Sequence, residues 1–226
     1  MNTASLKKRA RTDEQKQHRR TAILNAAETH FIDAGFEKFS MAVVAKLVGL
    51  SKGTLYLYFE TREEILLALC LDKLEAWAPR LTATSTQWNS DRVFIECFYD
   101  TLTTDKGLIR LLSRLDSVIE HNVSLERLIA AKRAMAAILI MLGETIAPIL
   151  KLEKAQASEG INALSSLLLG AIQVDLGPSY DESEFPEDVR QLINAFSSHD
   201  MFVTNGCRIM SGIRRDADKP KEIQPQ

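Results

Sequence analysis

Between Ser51 and Phe59 the chain reads Ser-Lys-Gly-Thr-Leu-Tyr-Leu-Tyr-Phe. These side chains suit the recognition of nucleic acid better than the breaking of bonds. Lys52 can donate to guanine O6 or N7, or simply neutralise a phosphate. Thr54 offers a hydroxyl for a base edge and a methyl group for a thymine methyl. A tyrosine can do two jobs: its ring meets a thymine methyl while its hydroxyl donates to phosphate. Gly53 lets the backbone come close to a duplex, or is merely a poor helix former tolerated in a first turn. Tyr56 and Tyr58 are two apart, so on a helix they point about 200° from one another. They cannot both be core, although either alone could be a half-buried core tyrosine. Leu55 and Phe59, four apart, share a face and are the better core candidates.

Two short helices joined by a tight turn would hold these groups. The first, about 41–48, carries Val43, Val44, Leu47 and Val48 at three- and four-residue steps. Gly49 suits the left-handed turn that follows, and Ser51 is a good N-cap for the second helix, which runs to about residue 58. This is the pattern of a helix-turn-helix, whose second helix enters the major groove. Ser40 and Ser51 are N-caps by position, and the N–H groups at those positive helix ends also suit a phosphate. Ala42 is small enough to touch a thymine methyl or nothing at all. A longer helix comes first. It starts after Thr12, where Thr12-x-x-Gln15 resembles a capping box, and runs to about Ala34 with Ile23, Ala27 and Phe31 inward. Residues 1–12, with Lys7, Lys8, Arg9 and Arg11, read as a mobile basic arm. Thr61-x-x-Glu64 is a second capping box; it opens a helix through Leu66, Leu69, Lys73 and Trp77 toward Pro79.

Ser51 to Phe59, followed by Thr61-Arg-Glu-Glu-Ile-Leu66, resembles the signature of the TetR family of bacterial transcriptional regulators. Ile23-Leu-Asn-Ala-Ala27, Phe31 and Gly35-Phe36 are similar to that family's first helix and its glycine exit. The resemblance covers roughly residues 16–77; beyond them only the length and the all-helical plan agree. It implies that Tyr56 meets the groove, that Tyr58 reaches phosphate, and that Arg62, where the family commonly has Lys, grips phosphate through its fork.

The distribution of charge fits DNA binding at one end. Residues 1–62 hold 11 Lys/Arg against 6 Asp/Glu, and residues 63–226 hold 17 against 24, within a net charge of −2. The longest apolar run, Ala134 to Gly143, is too short to cross a bilayer. No apolar stretch follows the basic N-terminus, so no secretory signal is read and a cytoplasmic protein is expected. Cys70, Cys97 and Cys207 are odd in number, lack metal-ligand spacing and sit in apolar helical contexts, as free thiols do in a reducing cytosol. Redox sensing by one of them is an alternative, weakened because no basic cluster adjoins any of them. The histidines at 18, 30, 121 and 199 are scattered, and no cofactor or metal is expected.

Further helices are expected over about 91–103, 106–120, 125–150, 158–176 and 186–215, with a loop over 179–184. The chain is therefore all-α, with about nine helices. An N-terminal three-helix DNA-binding domain spans 1–62, with its helix-turn-helix at about 41–58. A C-terminal effector-binding and dimerisation domain spans 63–215, followed by a disordered tail over 216–226. The last two helices carry small residues (Ala163, Ser165, Ser166, Gly170, Ala171) beside apolar ones. By resemblance they pair with their two-fold mates, through Leu164, Leu167, Leu168, Ile172, Phe196 and Val203. Two recognition helices would then stand about one DNA turn apart. Alternatively these helices pack only within one subunit. The resemblance also implies an effector pocket among the fourth to seventh helices. Trp77, Phe94, Phe98, Leu111, Leu115, Ile119, Met135 and Leu139 are candidates to line it, each equally readable as plain core. Gln173, Asn122 and His121 could orient a ligand. Such a lining suits a hydrophobic or aromatic effector. The expected role is a ligand-released repressor that binds a palindromic operator as a homodimer, with no membrane association. The alternatives are an activator, or a DNA-binding regulator controlled by a protein partner. An enzyme is not expected, since no nucleophile–base pair, metal cluster or phosphate loop is visible.

Overall fold

The computed structural model describes residues 3–175, 185–194 and 197–217. Among these residues there are ten α-helices and no strand. They are α1 (Thr3–Lys38), α2 (Met41–Leu47), α3 (Lys52–Tyr56), α4 (Arg62–Ala83), α5 (Asp91–Thr103), α6 (Lys106–Leu112), α7 (Leu125–Leu150), α8 (Lys154–Asp175), α9 (Glu187–Asn194) and α10 (Ser198–Ala217). Of the described residues, one compact unit takes those up to Asp72 together with Arg114–Ala131; the other takes Lys73–Ser113 and those from Lys132 onward. The division differs from the expected boundary at 62/63 in two ways. It falls ten residues later, inside α4, and it assigns the segment around 114–131 to the first unit.

The first unit is built around Ile23, Leu24, Ala27 and Phe31 of α1, Val44 and Ala45 of α2, and Leu55 of α3, with Phe39 and Phe59. Ile65, Leu66, Cys70, Leu115 and Ile119 are buried in it as well. Gly35 (φ +72°) breaks the α1 stretch and Gly49 (φ +66°) makes the turn after α2, the two places where a left-handed residue was needed. The segment expected as an arm over residues 1–12 is helical from Thr3, where α1 already begins. Ala, Lys and Arg, which dominate that stretch, are among the best helix formers, so the Thr12 capping box is overridden.

The second unit has an aromatic centre. Phe98 lies 5.1 Å from Trp77, 6.2 Å from Phe94 and 6.1 Å from Phe202, and Trp88 edges onto Phe94 at 5.0 Å. Trp77 Nε1 donates to Thr101 Oγ1 at 3.1 Å, so its polar edge is satisfied. Against this centre α10 packs along α8 and α5. The approach is closest at Gly206, where a Cβ would stand 2.9 Å from Ile95 Cγ2 and 3.0 Å from Leu164 Cδ2. Gly206→Ala is therefore expected to destabilise by about 1–3 kcal/mol through overpacking, despite alanine's better helix propensity; a denaturant melt with unchanged m-value would show it.

Lys73, itself buried, donates to Asp105 at 2.9 and 3.1 Å and ties α4 to the start of α6. Burial alone would raise the Asp105 pKa. The Leu108 amide, the Lys73 ammonium and Arg80 outweigh it and hold the carboxyl below its usual range. A carboxyl with a depressed folded pKa contributes stability above its unfolded pKa and loses it as pH falls through the folded one. Asp105→Asn is thus expected to flatten the acid limb below about pH 4. It should also cost about 2 kcal/mol at neutral pH, where Lys73 would lose its ionised partner. Urea melts across the pH range check both parts.

Three helix limits differ from expectation. The sixth helix stops at Leu112 instead of running to 120. Ser113 Oγ turns back onto the Arg110 carbonyl at 2.9 Å, and the chain re-forms as a π turn over Leu115–Ile119. The helix expected from 158 starts at Lys154, because Gln156 Oε1 accepts the Glu153 amide at 2.9 Å. The helix expected over 186–215 is broken before Ser198, where Ser197 Oγ accepts the Asp200 amide at 3.1 Å as an N-cap. Phe196, the loop over 179–184 and residues 218–226 lie outside the described residues. By length and composition α7 could cross a bilayer. Its Ile138, Leu142, Ile146 and Leu150 are buried within the second unit, which marks that side as core.

Candidate nucleic-acid interface

Two local devices set the pose of α3. Ser51 Oγ accepts the Thr54 amide at 3.1 Å and pairs with Thr54 Oγ1 at 2.8 Å. Leu55, wholly buried, is the anchor that turns the remaining side chains outward. Lys52 and Gly53 are exposed, Tyr56 is 42% exposed, and Tyr58 is half-buried. The Lys52 ammonium stands 5.8 Å from the centre of the Tyr56 ring, so cation and phenol form one surface. The two tyrosines do leave the core, and Leu55 and Phe59 do fill it. Thr54 is half-buried with its hydroxyl engaged by Ser51, which leaves its methyl group as the freer contact.

On α2, Ala42 is exposed. Ser40 has the extended backbone of an N-cap but makes no side-chain cap bond. Its amide instead donates to His30 Nε2 at 3.1 Å, and the His30 ring stacks on Phe39 at 5.3 Å. His30 therefore positions the entry to α2. Ten residues separate it from Ser40, and no local spacing betrays the pairing. Leu47 is 56% exposed and Leu57 81% exposed. They read as core by type, yet they flank the polar surface, where an apolar side chain can meet sugar or a thymine methyl.

Arg62 is less free than its position suggested. Its Nε donates to Glu63 Oε1 at 2.7 Å, and its guanidinium sits 4.9 Å over the Phe36 ring. The terminal nitrogens are its remaining donors to an anion. Of the second capping box, Glu64 N donates to Thr61 Oγ1 at 3.1 Å as expected. The Glu64 carboxylate takes the amide of Glu60, at 2.9 Å, instead of that of Thr61. Thr61 Oγ1 also donates to the Asn122 carbonyl at 3.1 Å, pinning the segment before α7 to the start of α4. Asn122 and His121 are exposed there.

The residues suggested for an effector pocket fall in both units. Leu115 and Ile119 are buried in the first unit, whereas Trp77, Phe94, Phe98 and Leu111 are buried in the second. Met135 and Leu139 are half-buried and Gln173 is exposed. Of the residues suggested for a dimer interface, Leu164, Leu168, Ile172 and Val203 are buried within their own unit. Their apolar surface is already taken by the α5–α8–α10 packing. Leu167 is half-buried, and Asn162, Ser166 and Gly170 form the exposed side of α8.

Comparison with known proteins covers both units. The family profile described as "Bacterial regulatory proteins, tetR family" matches residues 23–69, and "Tetracyclin repressor-like, C-terminal domain" matches residues 71–176. The HTH-type transcriptional activator FasR of Mycolicibacterium smegmatis is 28% identical over 127 residues, covering 54% of this chain and 58% of its own. The fatty acid metabolism regulator protein of Bacillus subtilis is 31% identical over 67 residues, covering 30% and 34%. This chain thus spans 58% and 34% of the length of these relatives. Among solved structures, Thermus thermophilus FadR, a TetR-family repressor in complex with lauroyl-CoA, aligns with a TM-score of 0.55 at 17% identity, covering 92% of this chain and 98% of that one. A TetR transcriptional regulator from Rhodococcus sp. RHA1 aligns with a TM-score of 0.54 at 16% identity, covering 88% and 97%. At such identities the likeness is one of fold.

Proposed function

The chain belongs to the TetR family of bacterial transcriptional regulators, and from that premise we propose that it is a cytoplasmic repressor, without catalytic activity, that binds a palindromic operator as a homodimer. The observation that carries this reading is the outward surface of α3, where Lys52, Gly53, Tyr56 and Leu57 are exposed around a buried Leu55. Lys52 and Tyr56 face base edges, while Tyr58, Ser40 and Arg62 hold phosphates and so set register. The free sides of α8 and α10 are the surface proposed to meet a second copy, since a palindrome needs two such helices about one turn apart.

The proposed effector is apolar, with a fatty-acyl chain as the first class to try. The fatty acid metabolism regulator of B. subtilis and the lauroyl-CoA complex of T. thermophilus FadR motivate that choice. An effector would act by favouring a conformation in which α4, which carries Arg62, no longer presents the two reading helices one turn apart. It can do so only by binding that state more tightly. Titrating acyl-CoAs of increasing chain length into the protein–operator complex tests this. Release that depends on chain length is expected, and operator affinity unchanged at saturation would refute it. A second reading, activation, is favoured by the name of the M. smegmatis relative, a transcriptional activator. Reporter transcription with and without the protein separates the two.

A further inference from the structure

Beside the recognition helix lies a basic cleft that no helix-turn-helix motif accounts for. It has a volume of about 340 Å³ and is lined by Lys16, Gln17 and Arg20 of α1, by Leu57 and Tyr58 just after α3, and by Arg127 of α7. All belong to the first unit. Lys16 and Arg20 are four apart, so they stand one above the other on α1. Three cations and a phenol thus line one small space with no carboxylate among the lining residues. Arg127 is the unexpected member, since it lies more than sixty residues beyond the motif.

Its placement is built into the fold. Leu115 and Ile119 are buried in the same unit, and Thr61 holds the Asn122 carbonyl. The Arg127 amide then donates to Ser124 Oγ at 3.4 Å in the first turn of α7. The nearest carboxylate is Glu64, 3.9 Å from Arg127 Nε, with its other oxygen taken by the Glu60 amide. Arg127 is 60% exposed in this pair, so the contact is long and well solvated and worth little. The guanidinium therefore keeps its fork for another anion. Arg20 is oriented by its stacking 5.6 Å over the Phe59 ring.

We propose that this cleft seats a backbone phosphate of bound DNA, with Arg127 as a phosphate ligand supplied from outside the helix-turn-helix. The inference rests on the DNA-binding reading above, and the Leu57–Tyr58 wall argues for DNA over a soluble phosphate ester. Those two residues end the recognition segment, so a phosphate flanking the groove passes beside them. The contact carries no sequence information. It widens the footprint and adds to the salt dependence.

The test is a salt titration of binding to the upstream operator DNA and to a random duplex, using the full-length protein, Arg127→Ala, Arg127→Lys and Arg133→Ala. Arg133 is exposed on the same helix and does not line the cleft, so it controls for loss of a charge. Arg127→Ala is expected to lower the slope of log K against log salt by about 0.9 per subunit, or about 1.8 for a dimer, on both DNAs. Arg127→Lys and Arg133→Ala should keep the wild-type slope. Equal slopes for wild type and Arg127→Ala would overturn the proposal. So would saturable binding of inorganic phosphate, measured by calorimetry and lost in Arg127→Ala, with no change in DNA slope, since the cleft would then serve a soluble anion. If the wild type prefers no operator, the specific-binding reading fails on its own, and the slope on random duplex still decides the role of Arg127.

Discussion

Phe98→Ala is expected to lower the unfolding free energy of the second unit by about 3–5 kcal/mol. Phe98 is wholly buried, and its ring is the one shared by Trp77, Phe94 and Phe202. Truncation removes the transfer energy of a benzyl group and leaves a cavity between helices α4, α5 and α10. Their other contacts, among them the Lys73–Asp105 bridge and the Arg214–Asp91 pair at 2.6 Å, hinder collapse into it. It also removes two edge-to-face contacts, each worth about 0.5–1.5 kcal/mol beyond area. A thermal scan should show that unit's transition fall by roughly 10 °C. A drop within about 1 kcal/mol would mean that the centre repacks freely, as in a site shaped to admit a ligand. Phe98→Leu, which keeps most of the volume, should lose much less.

Lys52→Ala is expected to cost operator binding about 1–3 kcal/mol at each half-site. A dimer loses that twice, so even the lower figure is roughly 30-fold in affinity. The geometry favours base contact: Lys52 opens the recognition helix, where side chains reach base edges, and the Tyr56 ring holds its ammonium on the reading surface. Affinity for random duplex should change little, so the specificity ratio falls. The same loss on both DNAs, with a shallower salt slope, would reassign Lys52 to phosphate. Fold should be unaffected, because Lys52 is exposed and the Ser51 cap does not involve it.

Much of this arrangement was legible in the chain because it is local. The two short helices follow from apolar spacing in 41–48, the turn from Gly49, and the cap from Ser51. The buried Leu55 and Phe59 follow from a four-residue step. What was not legible depends on residues far apart. His30 receiving the Ser40 amide, Asn122 receiving the Thr61 hydroxyl, and Arg127 in the basic cleft have separations that no periodicity encodes. Local propensity also misled in places. The capping pattern at Thr12 lost to a run of strong helix formers, and the even apolar spacing of 106–120 hid a change of hydrogen-bond register at Arg114. In α8 and α10 an apolar face cannot by itself say whether it meets its own chain or a copy. Leu164, Leu168, Ile172 and Val203 meet their own.

In the proposed function α3 reads a specific DNA sequence, presented twice by a dimer. Competition binding of the purified protein to the DNA upstream of its own gene, against random duplex at fixed salt, tests it most directly. The expected result is one dimer or a multiple of it per site, and a preference of at least about 10³ over random duplex. Binding to both DNAs with equal affinity, falling together as salt rises, would contradict it.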